Sequence, residues 1–468
     1  MHHHLRFAFC LILLTTAPPA FGGNYRAFLM ADEAAMTGGA GIAVSRDSGS
    51  LWYNPAGLGG LKLGRMELTG TVYSLKVRPM RKMLETRLPS GAHTKDGKSN
   101  DFQPIPTSVV FVRNMSDKLS YGFAIYQRNN SSIDYRLSLN VPYDNNGAVW
   151  SEGFEYHQQA AVYDVGPAIG LQINPRFRIG CALYLEYLSS QVSLRGFAGI
   201  RDDSGQGTDM LVSISEQGAI MRLGLSMTAG IQWEFIRDWH VGLVLRTPMF
   251  QVLLSSDISS LESEALVVGS NGSLSFDYSE NSKNDTGFTQ VHPFEAQLGL
   301  VYKRGGSWIG IEGAMRPPLE KQDMGLLWNV SVGGRLKISD VFSWGAGFFT
   351  DRRATKLSDM ILDWESDRYG VTTGLEFKTP VLVKKILTEN KREENDSDKQ
   401  PPGDSGETEE KELKKLVWAT TVAIGYAFEL AEYNSLYIDN RGEMIIEPRK
   451  KTGVFHQPTI YMGTALYF

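Results

Sequence analysis

The sequence has very little cysteine and no long apolar segment beyond its first twenty or so residues. Only two of its 468 residues are cysteine, Cys10 and Cys181, which excludes a disulfide framework. No later run reaches the roughly eighteen apolar residues that a membrane-spanning helix needs, so any membrane crossing must use strands. The net charge of -5 is small for this length and provides no basic field for nucleic acid.

Residues 1–22 have the composition of a secretion signal. A short polar and basic stretch precedes an apolar run from Phe7 to Ala17, and Ala20-Phe21-Gly22 supplies small residues where a signal peptidase cleaves. The apolar run of about eleven residues is too short for a helix to cross a bilayer of roughly 30 Å. We therefore predict a signal peptide over 1–22 and a mature chain that starts near Gly23.

The segment 455–468 alternates in polarity with period two and ends in an aromatic residue. One file carries large apolar side chains: Ile460, Met462, Leu466 and Phe468. Alternation of this kind indicates a strand whose two faces meet different surroundings. A terminal phenylalanine on the apolar file is typical of the last strand of a bacterial outer-membrane barrel.

About fourteen segments between residue 62 and Phe468 repeat this alternation, an even number as such barrels require. Over 416–430, for example, Trp418 and Ile424 lie on one file and Ala419 and Ala423 on the other. Soluble sandwiches also alternate, but the chain length, the aromatic strand ends and the secretion signal favour a membrane. We predict an all-β fold, a transmembrane antiparallel β-barrel of about 14 strands over 61–468 in outer-membrane lipid.

The file predicted to face inward carries several charged side chains. They are Arg222, Glu295, Glu312, Arg335, Lys337, Arg368 and Glu376. Two interpretations are open. The charges pair with one another or with a segment inside the barrel, the usual arrangement of buried ions, or they line a path for a polar or anionic solute.

Two segments break the strand pattern. Residues 23–60 are rich in glycine and alanine and lack sustained alternation, so we predict a separate element rather than barrel wall. Residues 379–415 carry a dense run of charges around Pro401-Pro402-Gly403, and strand counting places this insertion on the periplasmic side. Its composition fits a flexible solvated linker, with docking of a periplasmic partner as the alternative.

The first of these segments contains an ordered motif. Its members are Gly38, Gly39, Gly41, Asp47, Asn54, Pro55 and Ala56. Asn54-Pro55 favours a turn, and the glycines permit backbone conformations and close approaches that other residues do not. This order and spacing resemble the start of the FadL (OmpP1-like) family of outer-membrane long-chain fatty-acid transporters. The resemblance implies that residues 23–60 form an N-terminal hatch, a plug in the lumen, shaped by the motif residues.

The resemblance also implies a route. A hydrophobic molecule would enter from outside, bind beside the amino terminus of the hatch and leave sideways through a gap made by a kink in the third strand. Carried onto this chain, Tyr25, Phe28 and Leu29 are the candidate ligand-binding residues. Gly122 lies in the third predicted strand and is the candidate kink, with a simple packing role as the alternative.

The function predicted on this basis is outer-membrane transport of hydrophobic compounds, with long-chain fatty acids as the first expectation and hydrocarbons as a close alternative. A diffusion porin for polar solutes and a non-transporting scaffold or shuttle for secreted surface proteins remain open. We predict no enzyme and no cofactor, because no histidine of the mature chain lies in a nucleophile or metal signature such as G-x-S-x-G or H-E-x-x-H.

Overall fold

A computed structural model gives the structure of most of the chain. It describes residues 29–61, 63–145, 147–202, 208–268, 271–286, 289–320, 324–353, 355, 357, 364–382, 415–441 and 445–468. The predicted signal peptide, Tyr25, Phe28 and residues 383–414 of the charged insertion lie outside this set. Among the described residues there is no helix long and apolar enough to span a membrane.

In these residues seventeen strands form one sheet. They are β1 (Arg65–Leu88), β2 (Gly91–Asn114), β3 (Leu119–Pro142), β4 (Ala148–Asn174), β5 (Phe177–Asp202), β6 (Thr208–Ile236), β7 (Trp239–Arg246), β8 (Met249–Val268), β9 (Asn271–Asp285), β10 (Thr289–His292), β11 (Glu295–Arg304), β12 (Ser307–Arg316), β13 (Leu327–Lys337), β14 (Phe342–Asp351), β15 (Trp364–Leu382), β16 (Lys415–Asp439) and β17 (Ile445–Tyr467).

The sheet closes on itself, because β1 pairs antiparallel with β17 from Arg65 opposite Tyr467 to Val77 opposite His456. Some strands are segments of one path. β7 and β8 pair with successive parts of β6, and β9, β10 and β11 follow one another with short interruptions. Grouping these segments gives the predicted number of about fourteen, and the predicted all-β barrel is confirmed.

The alternation of side chains is also as predicted. On β16, Trp418 and Ile424 are 38% and 56% exposed, whereas Ala419 and Ala423 are 0% and 2% exposed. The large apolar file therefore faces outward and the small file faces the bore, as a barrel in lipid requires.

The two ends of the barrel differ. Turns of a few residues, such as those after Asn174, Ile236 and Arg304, join strands at one end, which we call the short-turn end. At the other, the long-strand end, several strands continue well past the lengths predicted from sequence. Residues 257–290, for example, hold most of the β8–β9 pair.

The leading segment, residues 29–61, lies inside the bore. It contains α1 (Asp32–Thr37), α2 (Ser50–Tyr53) and a 3-10 turn (Pro55–Leu58). Its apolar residues, among them Met30, Ile42 and Leu51, pack on inward-facing wall residues such as Tyr126 and Tyr184 in one buried cluster.

Inward-facing glycines of the wall make room for the leading segment. A Cβ at each of these positions would come closer than 3.0 Å to atoms of that segment: Gly122, Gly170, Gly180, Gly230, Gly242, Gly299, Gly333, Gly345, Gly347, Gly374 and Gly463. We call this set the wall glycines. They are distributed over strands from β3 to β17, so they surround the segment rather than marking one contact.

Candidate functional site

The glycines of the motif are required by backbone conformation. Gly38, Gly39 and Gly41 have φ of 68°, 77° and 117°, values that side chains with a Cβ rarely adopt. Gly38 ends α1 in the left-handed conformation, a common way to terminate a helix. The chain therefore reverses sharply after α1 and stays within the width of the bore.

Asn54 connects two parts of the leading segment to the wall. Its Nδ2 donates to the carbonyl of Ile42 at 2.8 Å and to that of Ile231 on β6 at 3.0 Å. Its Oδ1 accepts the backbone N–H of Ala56 at 3.1 Å, which caps the 3-10 turn that begins at Pro55. Asn54 is fully buried, so all three bonds form away from water.

Asp47 has a comparable role between α1 and α2. Its carboxylate accepts the backbone N–H of Glu33 at 3.2 Å and the hydroxyl of Ser45 at 2.8 Å. These contacts bring the start of α1 next to the loop before α2. We propose a structural role for Asp47 and Asn54 in shaping a plug.

Charged wall residues hold the leading segment in place. Arg65 of β1 forms an ion pair with Asp32 at 3.0 Å, and the hydroxyl of Tyr461 on β17 donates to the same carboxylate at 3.0 Å. Glu312 of β12 accepts the backbone N–H groups of Gly41 and Ile42, both at 3.2 Å. Opposite sides of the wall therefore bind the segment.

Other charges of the bore pair within the wall. Arg222 lies 2.9 Å from Glu186, and Arg368 lies 3.9 Å from Asp351 and 3.7 Å from Glu429. Further pairs are Arg128–Glu186, Arg316–Glu295 and Arg335–Glu376. Of the two interpretations left open by the sequence, this pattern favours mutual pairing over a charged solute path.

Leu29, the described member of the three candidate ligand residues, borders a small cavity of about 50 Å³. Its walls are mostly apolar, and include Val72, Phe349, Ala423 and Tyr461, with Arg368 and Gln457 as its polar edge. Arg368 donates to the Gln457 side chain at 3.0 Å. A mostly apolar surface with one polar edge suits an alkyl chain or an aromatic ring better than a polar solute.

The wall is interrupted between β2 and β3. β2 pairs with β1 from Gly91 to Val112, but in the described residues it pairs with β3 only over 108–114. β3 in turn pairs with β4 along nearly its whole length, with a register shift between Gln127 and Asn129. From Ser108 and Tyr126 toward the long-strand end, main-chain pairing between β2 and β3 therefore stops in the described residues.

Two prolines explain this interruption. Pro104 and Pro106 lie two residues apart on β2, and both lack the N–H that a strand donates. Residues i and i+2 direct their N–H positions to the same edge of a strand. Because pairing with β1 continues past both prolines, the edge without donors is the one that faces β3.

Side chains replace part of the missing main-chain ladder. Arg78 donates to the carbonyl of Ser132 at 3.2 Å, the N–H of Ser132 donates to Asp101 at 3.2 Å, and the N–H of Asp134 donates to Ser99 at 3.4 Å. β3 is therefore bridged to β1 and β2 by side chains, which can move apart more readily than a continuous ladder.

Gly122 is not where β3 becomes irregular. The register with β2 and β4 runs regularly through it, and the irregularity lies at Gln127–Asn129 instead. A Cβ at position 122 would come within 2.9 Å of the Leu51 side chain. Gly122 thus belongs to the wall glycines, and the alternative packing role considered for it fits the structure, because space for the leading segment is what the position supplies.

A second apolar region lies beyond the interruption, at the long-strand end. It comprises Met80, Met83, Leu84, Ile133, Tyr135, Leu137, Phe154, Ala431, Tyr433 and Phe455, and we call it the mouth cluster. The tip of the β1–β2 hairpin covers this region, because Leu84–Arg87 pair in parallel with Leu436–Asp439 of β16. The hairpin bends at Lys82, whose φ is 51°.

Sequence reasoning expected a gap at the third strand but missed its cause on β2, and it missed the wall glycines. The Pro104-Ile105-Pro106 triplet was a visible signal for the first, since such a strand cannot donate fully to both neighbours. A glycine on the inward file of many strands was the signal for the second, but it acquires meaning only once a segment is placed against the wall.

Comparisons with known proteins address the fold. No protein-family model matches the sequence, and no curated protein matches it either. Among solved structures, a Pseudomonas aeruginosa FadL homologue matches with a TM-score of 0.55 and 12% identity, over 95% of this chain and 99% of that one.

The P. putida toluene transporter TodX matches with a TM-score of 0.50 and 11% identity, over 94% of this chain and 98% of that one. A TodX mutant described as a monoaromatic hydrocarbon channel reaches 0.53 at 11% identity, over 93% and 97% of the two chains. At these identities the likeness concerns the fold, and the chain has the fold shared by the FadL homologue and TodX.

Proposed function

We propose that this protein is an outer-membrane channel that imports hydrophobic compounds. The observation that carries the proposal is the combination of a blocked bore with a wall that is interrupted between β2 and β3. A blocked bore gives a polar solute no open path, whereas a side opening gives an apolar molecule direct access to lipid. The apolar outward file supports a membrane location, and short turns in such barrels lie on the periplasmic side.

The route follows the apolar surfaces. The mouth cluster lies at the long-strand end, which this orientation places outside the cell, and supplies a first surface for a hydrophobic molecule. The cavity beside Leu29 supplies a second, next to the leading segment. Leaving sideways between β2 and β3 would keep the molecule out of water, whose avoidance is the driving force for an apolar solute.

Two classes of substrate are compatible with this route. The fold is shared with a FadL homologue and with a toluene transporter, so long-chain fatty acids and monoaromatic hydrocarbons are both candidates. The polar edge of the Leu29 cavity, Arg368 and Gln457, supports an amphiphile. We therefore propose the long-chain fatty acid first and keep Tyr25, Phe28 and Leu29 as the candidate ligand residues.

Uptake of labelled oleate and of labelled toluene, by cells with and without the protein, tests this function. We expect faster uptake of at least one compound in cells that contain it. If cells with and without the protein take up each compound at the same rate, the proposal is wrong. Planar-bilayer recording addresses the porin alternative, because an open diffusion pore gives a large steady conductance and a plugged barrel does not.

A further inference from the structure

Four basic side chains line a cavity of about 240 Å³ at the short-turn end of the bore. They are Arg46 of the leading segment, Arg178 of β5, His240 of β7 and Lys303 of β11. Ala43 and Val44 of the leading segment and the turn glycines Gly305 and Gly306 complete the lining. We call this the basic pocket.

The three wall residues of the basic pocket face the bore rather than the lipid. Each lies near the short-turn end of its strand, on the same file as inward-facing residues such as Ala182 and Val244, which are 3% and 1% exposed. Trp239, next to His240 on the opposite file, is 39% exposed on the outer surface. The pocket therefore lies inside the bore, near its short-turn end.

None of the four basic side chains has a carboxylate within 4.0 Å among the described residues. Arg46 donates to the carbonyls of Gly59 and Gly60 at 3.2 and 3.0 Å, and Arg178 reaches the carbonyl of Pro175 at 3.5 Å. The buried Nε atoms of both arginines have no hydrogen-bond partner. Donor capacity for an additional acceptor thus remains in the pocket.

The nearest carboxylates do not neutralise the cluster. Glu234 lies opposite His240 in the β6–β7 register, where its side chain accepts the N–H of Asp238 at 3.4 Å. Glu33 lies 3.7 Å from Arg335 and accepts the indole N–H of Trp308 at 2.8 Å. Neither forms an ion pair with a side chain of the basic pocket.

This arrangement contrasts with the rest of the bore. Arg65, Arg222 and Arg368 each have a carboxylate within 3.9 Å, whereas Arg78, a single buried arginine, donates to the carbonyl of Ser132. Grouping Arg46, Arg178 and Lys303 without a carboxylate in contact is unfavourable, since the three cations repel one another where water is partly excluded. A bound anion would remove this repulsion, and arginine is the side chain best suited to carboxylate and phosphate oxygens.

We propose that the basic pocket binds a small soluble anion that carries a carboxylate or phosphate group. The volume suits such a ligand. A cavity of about 240 Å³ is as large as the volume that about eight molecules of liquid water occupy. The orientation given by the proposed function places the entrance in the periplasm, but binding itself does not depend on transport. A soluble source is favoured over a phospholipid headgroup, because the side chains face the bore.

Calorimetric titration of the full-length protein in detergent with inorganic phosphate, at constant ionic strength, tests the proposal. We expect saturable binding at one site per chain. The double variant Arg178→Gln/Lys303→Gln should weaken it by at least about tenfold, or 1.4 kcal/mol. The matched control Arg176→Gln/Arg304→Gln removes the same charge from exposed positions at the same end and should change the affinity by less than about twofold.

Absence of saturable binding by the unmodified protein would overturn the proposal, as would an equal loss in both double variants. Lys303→Arg keeps the charge and should retain binding, and Arg178→Gln alone serves if the double variant does not fold. Nanodiscs with and without phosphatidylglycerol separate the two sources. If this lipid prevents phosphate binding, the basic pocket binds a lipid headgroup and the proposal of a soluble ligand is wrong. Uptake of oleate or toluene is measured separately, so failure of either proposal is distinguishable.

Discussion

The part of the wall around the leading segment and the upper β2–β3 interface are built in opposite ways. Around the segment, strands such as β5 and β6 pair continuously, and wall glycines let the segment approach within contact distance. Between β2 and β3 the ladder stops above Ser108 and Tyr126, and side chains bridge the strands instead. The first region has the stronger contacts and the second the weaker ones, and the proposed exit lies in the second.

The largest effect is expected from filling a wall glycine. In Gly230→Val the new Cβ would overlap the Oδ1 of Asn54 and approach Pro55, and overpacking of this kind costs about 1–3 kcal/mol or more. We expect the leading segment to be displaced, which would give steady conductance in planar bilayers and a lower unfolding temperature.

Gly313→Val is the matched control for that substitution. At Gly313 the nearest atom to an added Cβ is the carbonyl oxygen of Asn329 at 3.9 Å, and the position lies on the outward file of β12. This variant should remain non-conducting. If Gly230→Val is also closed and equally stable, the wall glycines do not accommodate a plug.

The interrupted interface should respond to restored donors. Pro104→Thr/Pro106→Thr returns two N–H groups to the edge of β2 that faces β3 and adds residues that favour strands. We expect the strands to pair further and uptake of the hydrophobic substrate to fall several-fold, with the barrel itself more stable.

Pro380→Thr is the control, because Pro380 lies in β15 opposite Val417 in a continuous ladder. It should leave uptake unchanged. Unchanged uptake in the β2 double variant as well, together with evidence of new β2–β3 pairing from amide exchange, would show that the substrate does not leave between these strands.

Sequence patterns predicted the wall better than the contacts inside it. The files of Trp418 and Ala419 were assigned correctly, because period-two alternation depends only on local geometry. Partners such as Asn54 and Ile231 are 177 positions apart, and nothing local indicates which carbonyl an amide will meet. The role of Gly122 stayed open between a kink and packing for the same reason, since the contact that explains the glycine is with Leu51, which is distant in sequence.

The charges of the bore were an intermediate case. The sequence placed Arg335 and Glu312 on the inward file but left their role open. The structure pairs Arg335 with Glu33 and Glu376 and directs Glu312 to the N–H groups of Gly41 and Ile42. Inward orientation was predictable from alternation, whereas the choice of partner depends on where the leading segment lies.

A smaller effect is expected at the ligand cavity. Leu29→Gln places an amide against the apolar wall of the cavity beside Phe349 and Ala423, and an amide without partners there is unfavourable by about 1–3 kcal/mol. We expect weaker binding of oleate to the purified protein and slower uptake, with no change in bilayer conductance. Leu29→Met, which keeps an apolar side chain of similar size, should behave as the unmodified protein. Equal oleate affinity in both variants would move the binding site away from Leu29.

The smallest effect on transport is expected from removing residues 383–414. β15 finishes and β16 begins at the short-turn end. This end is far along the strands from the β2–β3 interruption. A short Gly-Ser connection in place of residues 383–414 should therefore leave oleate or toluene uptake unchanged, because the cavity, the mouth cluster and the interruption are all retained. Affinity purification with and without the segment tests its possible periplasmic partner at the same time. A marked loss of uptake would mean that transport depends on more than the two contrasting regions of the wall.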